Sequence, residues 1–185
     1  RIYSTGMSNG GYMSFLLACQ LSNRIAAVAS VTGSMTPQTY NNCNPQHPTP
    51  ILQIHGTADF TVPYNGNSFW TKSIDEVLQY WSSYNNCNPT TTTISMPNLN
   101  LFDGSTIEHS TFYGGDNGTT TEHFKVIGGG HDWPGAFGNM DINASKEVWK
   151  FFSKYDLNGA IGITSIEKNQ EDSYNLSPTL TSDFI

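Results

Sequence analysis

Gly6-Met7-Ser8-Asn9-Gly10-Gly11 is the stretch on which the reading of this chain turns. It lies between a short extended segment, residues 1–5, and residues 12–21, which are rich in helix formers. A serine on so sharp a strand-to-helix turn is held in strained backbone geometry with its hydroxyl projecting above the sheet. Glycines two positions to either side let strand and helix pass without Cβ clashes. The helix N-terminus below favours developing negative charge, and the backbone N–H of Asn9 is placed to donate to an oxyanion. Ser8 is therefore the candidate nucleophile and Asn9 the candidate oxyanion donor.

Working outward, residues 25–31 (Ile-Ala-Ala-Val-Ala-Ser-Val) and 51–55 (Ile-Leu-Gln-Ile-His) are short apolar runs bounded by turns. That is the pattern of strands buried on both faces of a parallel sheet. Between residues 68 and 84, Phe69, Ile74, Val77, Leu78 and Trp81 recur near helical spacing, which predicts an amphipathic helix. Residues 90–121 are rich in Thr, Asn and Gly and read as extended segments around an Asp103-Gly104 turn. Residues 123–127 form a further strand and residues 144–155 a closing helix. Strands alternating with helices predict the α/β class, a mainly parallel sheet covered by helices on both faces. That domain is expected over residues 1–159. Residues 160–185 turn to Ser, Asn, Glu and Asp without periodicity and read as a linker and tail.

A serine hydroxyl is a weak nucleophile near neutral pH and needs a histidine to take its proton and a carboxylate to orient that histidine. Asp59 lies just past the 51–55 run, in His55-Gly56-Thr57-Ala58-Asp59. His131 lies just past the 123–127 run, in Gly128-Gly129-Gly130-His131-Asp132-Trp133-Pro134-Gly135. Both fall at the carboxyl edge of the sheet, where α/β folds place their sites. His55 and His109 fall within or beside strands, His47 sits in a Pro-rich loop and His123 opens a strand, so these four read as structural or solvated. His131 alone follows a flexible glycine run. Asp132 is expected to point away from it, and Asp75 and Asp103 fall on a helix and a turn.

The net charge of −7, with eight Lys and Arg and no run of them, leaves no basic stripe for nucleic acid. No window of about 18 apolar residues exists, so no membrane-spanning helix is expected. The chain opens on Arg1-Ile2-Tyr3-Ser4, inside a strand and without a signal-peptide pattern, and is expected to be part of a longer protein. Of three cysteines, Cys19 lies in an apolar stretch and reads as a buried thiol or as the partner of a cysteine upstream. Cys43 and Cys87 both sit in Asn-Asn-Cys-Asn-Pro turns, where a disulfide between them would suit an oxidising compartment and two separate thiols are the equal alternative. No CxxC and no zinc-ligand spacing occurs.

Taken together, Gly6-Met7-Ser8-Asn9-Gly10-Gly11, His55-Gly56-Thr57-Ala58-Asp59 with Val62-Pro63-Tyr64, and Gly130-His131-Asp132-Trp133-Pro134-Gly135 resemble the polyhydroxybutyrate depolymerase and feruloyl esterase family of extracellular α/β-hydrolases, the group that includes LpqC-like esterases. The resemblance runs from residue 1 to about residue 155. It implies hydrolysis of carboxylic esters through an acyl-enzyme on Ser8, with His131 as base and then acid, Asp59 holding the imidazole tautomer, and no cofactor. It implies Trp133 as a lining of the substrate cleft, with a packed aromatic anchoring the loop as the equal alternative. The family also carries sheet strands and a second oxyanion donor ahead of the nucleophile strand, so the sheet here is expected to lack its N-terminal strands. Cleft loops are expected at 65–70 and 133–139. A peptidase or acyltransferase on the same triad, or a non-catalytic binding module, is the rival reading. Ser177-Pro178-Thr179-Leu180-Thr181-Ser182 is similar to the opening of the sorting domain of type IX secretion, with Ser177 and Leu180 replacing a tyrosine and a proline. That implies export and the secretion machinery as a partner.

Overall fold

The computed structural model describes residues 1–162. Its sheet holds β1 (Tyr3–Met7), β2 (Ala27–Val31), β3 (Ile51–Gly56), β4 (Thr91–Ser95), β5 (Thr106–Phe112) and β6 (Thr121–Ile127), in the order β1-β2-β3-β6-β5-β4. β1, β2, β3 and β6 run parallel, and β4 and β5 form an antiparallel extension beyond β6. Every residue of β2 and β3 is buried, the polar Ser30, Gln53 and His55 included.

The period-two alternation of strands sorts these residues between two helical layers. Ala27, Ala29, Val31, Leu52, Ile54, Phe124 and Val126 pack with Val148, Phe151 and Phe152 of one helix, Ala144–Phe152. On the opposite face Val28 and Ile51 pack with Phe15 and Ala18 of α1 (Asn9–Gln20), and with Val77 and Trp81 of a helix spanning Ile74–Tyr84. Each fully buried Val, Leu, Ile or Phe among them contributes roughly 1.5–3 kcal/mol. The α/β class and the two-sided cover are as the sequence predicts. No helix among the described residues is long and apolar enough to cross a membrane.

The departures have local causes. A short helix, α2 (Pro37–Asn42), was not expected; the Thr36 side chain caps it and Pro37 opens it. The helix expected from residue 68 begins instead at Ile74 (α3), because Ser73 accepts from the Glu76 N–H while the Glu76 carboxylate accepts from the Ser73 N–H. That reciprocal capping fixes the start and leaves Phe69 90% exposed on the preceding loop. The closing helix (α4) ends at Phe152, since Tyr155 enters a two-strand hairpin, β7 (Tyr155–Asp156) with β8 (Gly159–Ala160), its hydroxyl 2.7 Å from the Thr120 hydroxyl.

The Cys43–Cys87 disulfide is corrected. Cys43 pairs with Cys19, their Cα atoms 4.8 Å apart, because Cys19 closes the last turns of α1 and Cys43 directly follows α2, which packs against them. Cys87 lies past the C-terminus of α3 as a half-buried free thiol. The linker beyond residue 162 and the secretion motif at 177–185 lie outside the described residues.

Candidate active site

All four parallel strands end at one edge, and the candidate residues follow three of them. Ser8 sits between β1 and α1 with φ 55° and ψ −119°, a left-handed strained conformation for a residue with a Cβ. It is pinned by its N–H donating to Val31 O at 2.9 Å, and its carbonyl accepts from Gly11 and Tyr12. A Cβ on Gly6 would stand 2.7 Å from the Gly10 Cα, so strand and helix meet here by glycine alone. Gly10 itself has open space where its Cβ would be; its neighbour Gly11 does not, facing the Ser30 hydroxyl and the Gly33 Cα. Asn9 is the first residue of α1, so its N–H belongs to the leading group that has no acceptor one turn back.

Asp59 follows β3. Its Oδ1 accepts from the Thr61 and Val62 N–H groups, each at 2.8 Å, an Asx arrangement that closes the loop on itself. Its Oδ2 lies 2.8 Å from His131 Nδ1 and 3.4 Å from His55 Nε2. Burial by itself would push this carboxyl up, but the N–H groups of His55, Val62 and His131 outweigh burial and hold it at about 2. The carboxylate oxygen beside Nδ1 fixes the proton on that nitrogen and leaves Nε2 as the basic one.

The loops carrying Asp59 and His131 are joined through their main chains. Thr57 N–H donates to Val126 O, Ala58 N–H to Gly129 O and Gly128 N–H to the Thr57 hydroxyl, all at 2.9 Å. Gly56 abuts the same loop: a Cβ there would strike the Gly129 carbonyl and stand 2.5 Å from Gly130 O. The glycine run before His131, read from sequence as flexible, is packed against other neighbours: a Cβ on Gly129 would strike Val126 Cγ1, and one on Gly128, at φ 79°, would stand 2.7 Å from Gly104 O.

The other histidines have structural partners. His123 is buried, its Nδ1 donating to Gln53 O at 3.0 Å, and burial depresses it to about 3. His109 meets Glu122 at 3.0 Å, and His47 bridges Pro48 O and Ser22 O. Asp132 accepts from Gly130 N–H at 3.0 Å, its oxygen turned into its own loop.

Beside Ser8 opens a depression of about 330 Å³ lined by Ser8, Asn9, Tyr12, Thr36, Thr61, Val62 and Trp70, toward the small end of ligand clefts. Tyr12 and Trp70 form one wall, their ring centroids 6.4 Å apart, and the Tyr12 hydroxyl is hydrogen-bonded to Thr71. Trp133 is not in this lining; it packs against the α4 core and its Nε1–H donates to the Ser145 hydroxyl at 3.1 Å. Of the expected cleft loops, 65–70 supplies Trp70, whereas 133–139 supplies nothing to it. Tyr12 escaped the sequence reading, although its position one helical turn past Ser8 puts it on the same helix face.

A strained serine on a strand-to-helix elbow, with an aspartate and a histidine after later parallel strands at the same edge, defines an α/β-hydrolase. Residues 1–101 match the profile of the Phospholipase/Carboxylesterase family, and the chain belongs to that family. It is 26% identical over 165 residues to the bifunctional acetylxylan esterase/xylanase XynS20E of Neocallimastix patriciarum, covering 89% of this chain and 22% of that protein. It is 43% identical over 68 residues to feruloyl esterase B of Piromyces equi, covering 36% of this chain and 13% of that protein. Feruloyl esterase D of Neurospora crassa shares 40% identity over 58 residues, or 31% of this chain and 19% of its own length. The chain thus spans less than a quarter of each of these relatives.

Proposed function

We propose that the protein is a secreted serine esterase that cleaves carboxylic esters of the feruloyl or acyl-carbohydrate type. Ser8 is the nucleophile, His131 the base and then acid, and Asp59 the carboxylate that orients and charge-stabilises the imidazole. The observation that carries this reading is the 2.8 Å pair between His131 Nδ1 and the buried Asp59, at the same sheet edge as a serine held at φ 55°. His131 Nε2 takes the Ser8 proton as the oxygen attacks the ester carbonyl, the Asn9 N–H donates to the oxyanion, and the imidazolium returns its proton to the leaving alcohol. Water then repeats the sequence on the acyl-enzyme.

The relatives' names support an ester of a plant cell-wall polysaccharide, and the aromatic wall of Tyr12 and Trp70 beside Ser8 supports a planar acyl group. Polyhydroxyalkanoate esters are the other substrate class of the resemblance. The test is hydrolysis of methyl ferulate, short p-nitrophenyl esters and a hydroxybutyrate oligomer, with matched amides alongside and Ser8→Ala as control. Ester hydrolysis lost in Ser8→Ala is the expected result. Activity unchanged by the substitution overturns the triad, and faster amide than ester cleavage favours a peptidase.

A further inference from the structure

The sequence reading assigns His55 to the strand as a structural residue, and its partners say more. Gln53 and His55 are two apart on β3 and therefore share a face. Gln53 Nε2 lies 2.9 Å from Gly33 O and 3.0 Å from His55 Nδ1, both buried. A carbonyl only accepts, so the amide nitrogen must face Gly33, and its second N–H is directed at His55 Nδ1. His55 Nδ1 is then the acceptor and the ring proton sits on Nε2. That nitrogen is 2.8 Å from Val62 O and 3.4 Å from Asp59 Oδ2. Val62 returns the contact by donating its own N–H to Asp59 Oδ1.

We infer that His55 is a positioning residue for the reaction, its tautomer fixed by Gln53 so that its Nε2–H, donated to Val62 O, also stands 3.4 Å from the Asp59 oxygen that meets His131 and holds the acid loop in register. The inference rests on the proposed role of Asp59. Gly33, where the relay starts, is packed on the nucleophile elbow: a Cβ there would stand 2.7 Å from Ser8 O and from the Gly11 Cα. The chain Gly33–Gln53–His55–Asp59–His131 thus ties the elbow after β1 to the loops after β2, β3 and β6. Its cost is visible in Gln53 Oε1, which is buried without a partner among the described residues. An amide left half satisfied inside a core is destabilising. Around this relay Tyr64 and His123 pack on or beside His55, and Asp75 and Lys125 stand against Tyr64.

The test uses the intact protein. Ring ¹⁵N spectra of His55 are expected to show a proton on Nε2 and none on Nδ1; a proton on Nδ1 overturns the inference. His55→Leu is expected to lower kcat on the best ester roughly tenfold, the loss of one hydrogen-bond-like contact to a charged group, with KM little changed. His55→Gln, whose amide nitrogen falls where Nε2 was, is expected to recover most of it. Wild-type kcat in folded His55→Leu, or no recovery in His55→Gln, overturns the inference. Should His55→Leu fail to fold, His55→Asn replaces it, a polar side chain that ends short of the Nε2 position. If no ester is cleaved at all the proposed function has failed, and the Asp59 carboxyl ¹³C titration still decides the contact. Its midpoint rises in the Leu or Asn variant and returns in Gln if His55 faces Asp59, and stays put in all of them if it does not.

Discussion

Gly56→Ala adds one methyl group at the junction of the two loops that carry Asp59 and His131. Its carbon would strike the Gly129 carbonyl and stand 2.5 Å from Gly130 O, and both obstacles are main chain that no rotamer change can move aside. Ordinary contact distance requires the glycine loop to retreat by about 1 Å. His131 follows Gly130 directly, so the retreat is transmitted to the 2.8 Å contact between its Nδ1 and Asp59. A misplacement of about 1 Å in a reacting group costs on the order of 10²-fold in rate, and overpacking of this kind costs about 1–3 kcal/mol of stability. The assay is kcat/KM on methyl ferulate together with urea unfolding of the same preparation. Gly10→Ala is the matched control for stability, since nothing beyond its chain neighbours and its own helix lies within 4 Å of the added carbon; in a helix it should stabilise by roughly 0.5–1 kcal/mol. Wild-type rate and stability in Gly56→Ala would refute the claim that main-chain approach at this glycine sets the geometry of the acid and the base.

Trp70→Ala should raise KM for methyl ferulate about fivefold or more while changing KM for p-nitrophenyl acetate little, because it removes one aromatic wall of the depression and no reacting group; steady-state kinetics on both esters checks this. Asp59, held at about 2 in the fold against an ordinary 3.8, stabilises the protein above about pH 4, and that contribution is lost as pH falls from there through 2. The Tm difference between wild type and Asp59→Asn should accordingly shrink over that interval in thermal melts. Cys43→Ser opens a closed loop with a sequence separation of 24 and should cost about 3 kcal/mol in urea unfolding, whereas Cys87→Ser, a free thiol, should cost far less.

That Ser8, Asp59 and His131 follow strands and so fall at one sheet edge was legible from the strand-to-helix turn around Ser8 and the apolar runs before Asp59 and His131, because strand ends in a parallel sheet converge on one edge. The two-layer cover was legible because residues 25–31 and 51–55 carry apolar side chains on both faces of their strands. Cysteine pairing was not. Cys43 and Cys87 have identical local sequences, and what separates them is that α2, started by Thr36-Pro37, carries Cys43 back to α1. The α3 boundary was written in Ser73-x-x-Glu76, and counting Phe69 into the apolar stripe obscured it. Trp70 and Trp133 could not be ranked by sequence because a tryptophan next to a site residue in the chain need not face the site. Trp133 turns toward Ser145, and Trp70, eleven residues past Asp59, stands beside Ser8.

The glycines at this edge have one physical role in common. A Cβ on Gly6 would meet the Gly10 main chain, one on Gly11 or Gly33 the other's Cα, and one on Gly56 the Gly129 main chain, each closer than ordinary contact allows. These contacts join β1 to α1, α1 to the turn after β2, and β3 to the loop after β6. Side chains in the core can be trimmed or repacked at a cost in stability that the surrounding packing partly absorbs. A main-chain contact has no such slack, because moving it moves the residue that follows. Ser8, Asp59 and His131 each lie within three residues of one of these contacts, so their relative positions are set by backbone on backbone. The Gly33–Gln53–His55 relay adds the remaining polar tie, from the turn after β2 to the acid on the loop after β3. Precision at the site therefore comes from residues that themselves carry no chemistry, and substitutions there should reduce turnover by more than their effect on stability accounts for.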